Sequence, residues 1–376
     1  MIDITRGSIL VSNPPPRLKR ELSYFRRGHR GEGKYEDLFT MSEDGEYLVT
    51  MPGFADRILK MGIRTRVYDR RVRMPDPDIA AAMTGLHECW KGVVSKALEN
   101  CGGTVSIPKV LGSANMAAAI LRAYSRGELV DRGPSMCLVA ARDRKAAKSM
   151  YLKLRQLLPD REVGLSVGNT CTDSEDVIVT NYASIKYLRP WEASVFIATG
   201  LENADFFERA ECVSSVKEAA RWGIYETPFG GSVDVDIVTE GLFGPSCASA
   251  TYADAVDGGY AVPITVCWLP MPRSDQMFRS LVYDIINRSL KYLDKDAHDK
   301  VLVIDSPKGI PEIPGRPIQS AGDRSFIVAF RHNLDVHNGR PGKLALEDEA
   351  RKMRFREYGF RQIYFESVDQ LPFLGG

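Results

Sequence analysis

The sequence predicts an α/β chain: two lobes built on parallel sheets, the second one shortened, behind a small N-terminal α+β module. Three observations carry that expectation. From about Leu86 to Met271, short apolar strands alternate with helical segments, the pattern of a parallel sheet covered on both faces. A second, shorter run of the same alternation follows the break MPRSD. The length of 376 residues suits two domains with a small appendage.

The N-terminal module is expected over residues 1–84. Its segment Arg17–Lys34, RLKRELSYFRRGHRGEGK, holds seven Lys/Arg against two Glu, with Tyr24 and Phe25 between them. Cations interleaved with rings suit a surface that pairs phosphates and stacks bases. The candidate nucleic-acid contacts here are Arg17, Lys19, Arg20, Arg26, Arg27 and Arg30. The same stretch also fits a solvated helix followed by a glycine-rich turn. Residues 35–75 read as short strands and one helix, ending in the charged strand RTRVYDRRVRMP, and Pro75 and Pro77 mark a boundary.

The first lobe is expected over residues 85–272. LHECWKGVVSKALEN is an amphipathic helix, GGTVSIP a short strand and NMAAAILRAYSRG an alanine-rich helix. The strand SMCLVAA and the helix RKAAKSMYLKLRQLL follow. DVIVTNY, ASVFIATG and WGIYETP are further strands. In such a sheet, ligands sit at the carboxyl ends of the strands.

The second lobe is expected over residues 273–376. A long helix, Met277–Leu293, leads to the strand KVLVIDSP, a Pro/Gly-rich connection and the strand SFIVAFRH. The tail ALEDEARKMRFREYGF places acids before bases, which suits the helix macrodipole. Arg351, Arg354 and Tyr358 fall on one helical face by three- and four-residue spacing, so Arg351 and Arg354 form a second candidate nucleic-acid patch. A solvated helix with internal salt bridges to Glu347–Glu349 reads equally well.

Composition excludes several classes. No apolar run approaches the length of a membrane span, and the N-terminus lacks the basic-then-apolar layout of a secretory signal. A cytoplasmic protein with no membrane partner is expected, in a host cell if the chain is phage-encoded. The seven cysteines form no CxxC pair and the five histidines no HExxH, which favours reduced, mostly buried thiols over a zinc or disulfide framework. The net charge of +1 decides little about partners.

The stretch GTVSIPKVLGSANMAAAIL has the outline of strand, glycine-bearing loop and helix, where a phosphate-binding chain carries G-x-x-x-x-G-K-[ST]. Gly112 stands at the second glycine, but Ser113 occupies the lysine position and Ala114 the hydroxyl position. Lys109 would enter such a loop from the strand side. After the apolar strand VFIA come Thr199, Gly200, Leu201 and Glu202, and Thr199 and Gly200 offer no carboxylate to a metal. Asp234 and Asp236 share one strand face and suit either a metal pair or a polar strand edge.

In serial order these segments resemble superfamily 2 DNA helicases, particularly the compact phage-type enzymes of two RecA-like lobes. MPGFADRILKMGIRTRVYDRR looks like their small N-terminal module, and LHECWKGVVSKAL sits at their leucine-arginine-aromatic-glutamine helix start. VIVTNYASIKYL resembles a strand-contacting motif, VFIATGLENADFF the Walker B strand, and WGIYETPFGG the segment ending in threonine-alanine-threonine-proline. LFGPSCASATYADAVDGGYAVPITVCWLP resembles the passage linking the lobes, and GKLALEDEARKMRFREYGF the closing helix. The resemblance implies a RecA-like fold and a nucleotide site at Lys109, Gly112, Ser113, Ala114, Thr199, Gly200, Glu202 and Thr227.

The sequence departs from the family where the chemistry lies. The missing lysine would face the β/γ-phosphates and the missing threonine would hold Mg²⁺. Glu226 replaces an alanine before Thr227 and Pro228, and a buried carboxylate there needs a partner or a raised pKa. Arg316 and Arg324 do not form the family's arginine-finger pattern. The expectation is a degenerate helicase that binds DNA or RNA, holds neither ATP nor Mg²⁺ and hydrolyses nothing. The alternatives are a subunit that binds a protein partner in a phage replication or assembly complex, with the fold as scaffold, and an active DNA helicase/ATPase with an atypical phosphate loop.

Overall fold

The structure is a computed structural model. It describes residues 1–27, 33–71, 74–124, 136–168, 170, 176–188, 193–201, 213, 215–216, 219–227, 237–272, 274–292, 299–303, 324–331, 336–337, 340–341, 343–357 and 359–372. Two compact units divide the chain: 1–107 with 111–227 and 232–249, and 250–376 with 108–110 and 228–231.

The first unit opens with the N-terminal module. Strands β1 (Ile2–Ile4), β2 (Ile9–Ser12), β5 (Phe39–Met41), β6 (Tyr47–Thr50) and β7 (Val67–Asp69) make a five-stranded sheet in the order β5-β6-β2-β1-β7. Strands β3 (Ser23–Arg27) and β4 (Gly33–Asp37) form a separate antiparallel hairpin. Alternation places Ile2, Ile4, Ile9, Val11 and Leu48 on one face, where they bury with Leu18 of helix α1 (Pro16–Glu21) and Ile58 of helix α2 (Ala55–Lys60). The basic stretch beginning at Arg17 is therefore one short helix and then a hairpin strand, not a longer solvated helix. Leu18 and Leu22 are fully buried and anchor the segment to the sheet, which leaves Tyr24 on β3.

The main body of the first unit is a seven-stranded parallel sheet. Its strands are β8 (Gly103–Pro108), β9 (Met136–Ala141), β10 (Val163–Ser166), β11 (Val177–Asn181), β12 (Ala193–Thr199), β13 (Ala220–Thr227) and β14 (Ser246–Ser249). Their order is β10-β11-β9-β12-β13-β8-β14. Both faces are covered over the inner strands, where every residue of β8 and β11 is buried; the edge strands β10 and β14 are only partly buried. The helices of this body are α3 (Ile79–Met83), α4 (Glu88–Glu99), α5 (Ser113–Ala123), α6 (Arg144–Leu157) and α7 (Ile237–Phe243). Trp222 in β13 is fully buried and donates its indole N–H to the carbonyl of Ala97 at 3.0 Å, tying α4 to the sheet. Gly53 packs so closely on α7 that a Cβ would lie 2.0 Å from the carbonyl oxygen of Glu240. The module is thereby seated on the sheet's own helix layer.

The second unit contains α8 (Tyr252–Asp257), β15 (Ile264–Pro270), α9 (Asp275–Tyr292), β16 (Asp299–Val303), β17 (Arg324–Arg331), a two-residue pair β18 (Val336–His337) and β19 (Arg340–Pro341), α10 (Lys343–Glu357) and β20 (Arg361–Tyr364). Its sheet is parallel in the order β16-β17-β15-β20. β15 is a central strand here, paired along its length with β17. The break at MPRSD thus follows the first strand of the second sheet, and this unit starts at Ala250 rather than at 273.

Among the described residues no helix is long and apolar enough to cross a membrane. Cys137 and Cys267 are buried, and burial pushes their thiols up to about 11 and about 12; Cys101 is exposed.

One buried ion pair fixes the helix layer of the first unit. Arg161 donates to both carboxylate oxygens of Asp176, with Nη2–Oδ1 at 2.6 Å, and also to the carbonyls of Leu121 and Tyr124 at the end of α5. Side-chain exposure is only 12% for Arg161 and 4% for Asp176. Truncating either partner leaves the other as an uncompensated buried charge. Asp176→Ala is expected to cost about 3–5 kcal/mol, read as a lower urea midpoint with an unchanged slope.

Candidate functional site

The site is built at the carboxyl end of the parallel sheet, where β8 runs into α5. Gly112 takes φ +77° as the residue before the helix, a conformation that only glycine adopts without strain. It carries no side chain to cap the helix, so the first N–H groups of α5 need another acceptor. The backbone N–H of Ser113 finds it in Glu226 Oε1, from the end of the adjacent strand β13. Asn115 Nδ2 donates to the Leu111 carbonyl at 2.8 Å and closes the turn from the other side.

The residues around this contact leave little room for a phosphate cradle. Leu111, Ser113 and Ala114 are buried at 1%, 8% and 5% exposure, whereas Lys109 is exposed. Val110 is buried as well. Bulky apolar side chains therefore stand where a phosphate loop presents flexible backbone. Glu226 is half-buried and places its carboxyl at a helix N-terminus, whose partial positive charge favours an anion. Of the two expectations for this carboxylate, the structure gives it a partner in the Ser113 N–H.

Thr199 and Gly200 end β12, separated from β8 by the single strand β13, or about 10 Å by strand spacing. The Thr199 carbonyl accepts the Tyr182 hydroxyl at 2.6 Å, and its own hydroxyl donates to the Ala140 carbonyl at 3.4 Å. Both polar groups serve the core. Gly200 turns the chain at φ +76°. Asp143 follows β9 at this same end, but it caps α6 through the Ala146 N–H at 2.8 Å and pairs with Arg142. The Ala146 hydrogen bond holds its carboxyl below the usual range. Among the described residues no group of three His, Cys, Asp or Glu side chains could hold a metal. Glu202, Asp205, Asp234, Asp236, Asp305, Arg316 and the side chains of Thr227 and Arg324 lie outside the described residues.

The basic candidates divide. Arg17 and Arg20 are exposed on α1, and Lys19 is half-buried beside them. The side chains of Arg26 and Arg27, at the end of β3, and all of Arg30 lie outside the described residues. In the second unit Arg351 turns inward. Its guanidinium sits 5.3 Å from the Trp268 ring centroid, donates to the Phe330 carbonyl at 3.2 Å and approaches Asp348 at 3.5 Å. Burial lowers its proton affinity, and its side chain is 14% exposed. This arginine packs a core rather than facing outward. Arg354's side chain and Tyr358 are outside the described residues. Two residues escaped the sequence reading. Arg57 forms a two-pronged pair with Glu240, Nε–Oε1 at 2.9 Å, and Tyr35 is an exposed ring on β4.

Removing the carboxylate from the helix end has a defined consequence. A hydrogen bond to a charged group contributes about 1.5–3 kcal/mol, and the Ser113 N–H has the Glu226 carboxyl as its acceptor. Glu226→Ala is expected to destabilise the first unit by about that amount, measured by chemical unfolding followed by amide hydrogen exchange in β13 and α5. Glu226→Gln, which retains an acceptor oxygen, is expected to lose less.

No family model and no curated protein matches the chain. Among solved structures, it is similar to the crystal structure of UvsW from phage T4, at 10% identity over 97% of this chain and 99% of that one, with a TM-score of 0.50. A second structure, of the UvsW helicase from bacteriophage T4, matches at 12% identity over 65% and 98% of the two chains, with a TM-score of 0.48. Dbp5 of S. cerevisiae, bound to Gle1 and IP6, matches at 10% identity over 78% and 94%, with a TM-score of 0.46. The fold inference rests on the first of these. At 10% identity it is a likeness of fold alone: parallel α/β sheets and a small N-terminal module.

Proposed function

We propose that this chain is a helicase-fold protein that binds nucleic acid without hydrolysing ATP, in a phage-type replication, recombination or assembly process. The observation that carries this reading is the Glu226 carboxylate on the Ser113 N–H. In a phosphate loop that N–H, at the start of the helix after the first strand, faces the anion. Here a carboxylate of the chain's own takes the place. An incoming phosphate would meet a like charge at hydrogen-bonding range, a repulsion of roughly 4 kcal/mol at 4 Å with an effective dielectric near 20. Neither the lysine that would offset it nor the hydroxyl that would hold Mg²⁺ is present, since Ser113 and Ala114 stand there. The nucleic-acid half of the proposal draws on the fold and on the exposed Arg17 and Arg20.

A scaffold role in a phage complex is the second reading, favoured by the net charge of only +1. Nucleic-acid binding that is mainly electrostatic falls steeply with salt, whereas a protein–protein contact need not.

The test is a stabilisation and binding panel with ATP–Mg²⁺, single-stranded DNA, duplex DNA and RNA. The expected outcome is no melting shift and no phosphate release with ATP–Mg²⁺, together with salt-sensitive binding of a nucleic acid. ATP-dependent turnover above background would refute the loss of hydrolysis. Absence of any nucleic-acid binding at low salt, beside a stable complex with another phage protein, would select the scaffold.

A further inference from the structure

We propose that the outer face of the N-terminal module's sheet is an interface between two copies of this chain, packed face to face about a two-fold axis along the strands. The basic edge of each copy then lies over the acidic turn of the other. The inference is independent of the nucleic-acid reading above.

The module's sheet has two unlike faces. Its inner face carries Ile2, Ile4, Ile9, Val11 and Leu48, and both α1 and α2 pack on it through Leu18 and Ile58. The strand register fixes what stands on the outer face. Tyr68 of β7 pairs with Asp3, Asp3 with Leu10, Leu10 with Val49 and Val49 with Thr40, so one row crosses every strand of the sheet. In the next row, Ser12 pairs with Tyr47. Tyr47, Val49 and Tyr68 are 38%, 39% and 41% exposed. Asp3, the one acid in the first row, is held by Arg70 at 3.2 Å. An apolar sheet face left open in this way is a surface for association.

The two sides of the face carry opposite charge, and this selects the partner. Arg64 and Arg66 are exposed on the β7 side, and Glu43, Asp44 and Glu46 are exposed on the turn between β5 and β6. None of these five makes an ion pair among the described residues. Both groups lie at the same end of the strands: the Ile2 N–H donates to the Arg66 carbonyl, the Ser12 N–H to Met1 and the Asn13 N–H to Glu46. The order β6-β2-β1-β7 separates them by roughly 14 Å. That exceeds the Debye length of about 8 Å at physiological salt, so the groups do not neutralise each other within one chain. Turning a second copy over about an axis along the strands exchanges left and right and keeps the ends level. Arg64 and Arg66 of each copy then meet the acidic turn of the other, and Leu10, Tyr47 and Val49 of both are covered. Such an isologous contact closes with two copies. A nucleic acid suits the face less well, because its phosphates would meet the acidic turn. The face is about 24 Å wide and roughly 10 Å long, below the roughly 800 Å² per partner of a standard interface, so the dimer is weak and in exchange with monomer.

The experiment is sedimentation velocity of the full chain across a concentration series, at low and at high salt. The parent is expected to dimerise with a Kd of about 10–100 μM, and more weakly at high salt. Arg64→Glu/Arg66→Glu and Glu43→Lys/Glu46→Lys each set like charges against one another at both corners, and each is expected to weaken self-association by about tenfold or more. Mixed in equal amounts, the two variants are expected to pair at least as tightly as the parent, because both corners are then complementary. Val49→Glu, in the middle of the face, is expected to weaken the dimer as well. All the substituted positions are exposed, so melting temperatures should stay unchanged. A parent that remains monomeric at about 200 μM overturns the proposal, as does a parent dimer that neither charge reversal weakens. Reversals that weaken the dimer but do not pair when mixed overturn the two-fold arrangement. A monomeric parent whose binding of an oligothymidylate is lost in Arg64→Glu/Arg66→Glu would give the face to nucleic acid instead.

Discussion

Helix α5 is buried along nearly its whole length, and its N-terminal N–H groups cannot be left to water. That requirement governs the centre of the first unit. The chain enters the helix through Gly112, whose φ of +77° allows the sharp turn but provides no capping side chain. The acceptor must come from elsewhere, and in a parallel sheet it can come from a neighbouring strand end. Strand β13 lies beside β8, and Glu226 near its end reaches Ser113. One glutamate thus completes the helix and occupies the place where a helix-bound anion would sit.

The surrounding structure holds this arrangement in place. Trp222 locks β13 to α4, Tyr182 ties the end of β12, and the Arg161–Asp176 pair gathers the far end of α5. Each contact satisfies a buried polar group. The same logic applies to Arg351, whose charge is absorbed by a carbonyl, a carboxylate and the Trp268 ring.

Much of the fold was legible in the sequence because apolar strands buried on both faces leave continuous runs such as SMCLVAA and VIVTN. The substitutions at Ser113 and Ala114 were legible too, since a phosphate loop has fixed spacing. The partnership between Ser113 and Glu226 was not. The two lie 113 residues apart, and only the insertion of β13 beside β8 brings them together. The segment after Arg17 misled for a local reason. Its charges suit a solvated helix, but Leu18 and Leu22 bury against the module's sheet and the chain then turns into a hairpin. Arg351 has helical spacing that fits an outward patch, yet its alkyl stem and planar head also suit the face of a buried tryptophan. Spacing alone does not distinguish those two fates. Tyr35 could not be singled out either, because its exposure depends on which hairpin face meets the sheet.

Amide hydrogen exchange over residues 109–116, with and without ATP–Mg²⁺, tests the central claim most directly, because it reads the helix end itself. With Glu226 closing the helix, the Ser113 amide is expected to be protected in the free protein, and added ATP–Mg²⁺ to leave the segment's exchange unchanged. A Ser113 amide that exchanges freely and becomes protected only when ATP–Mg²⁺ is present would contradict the account, because nucleotide would then be the group that completes the site.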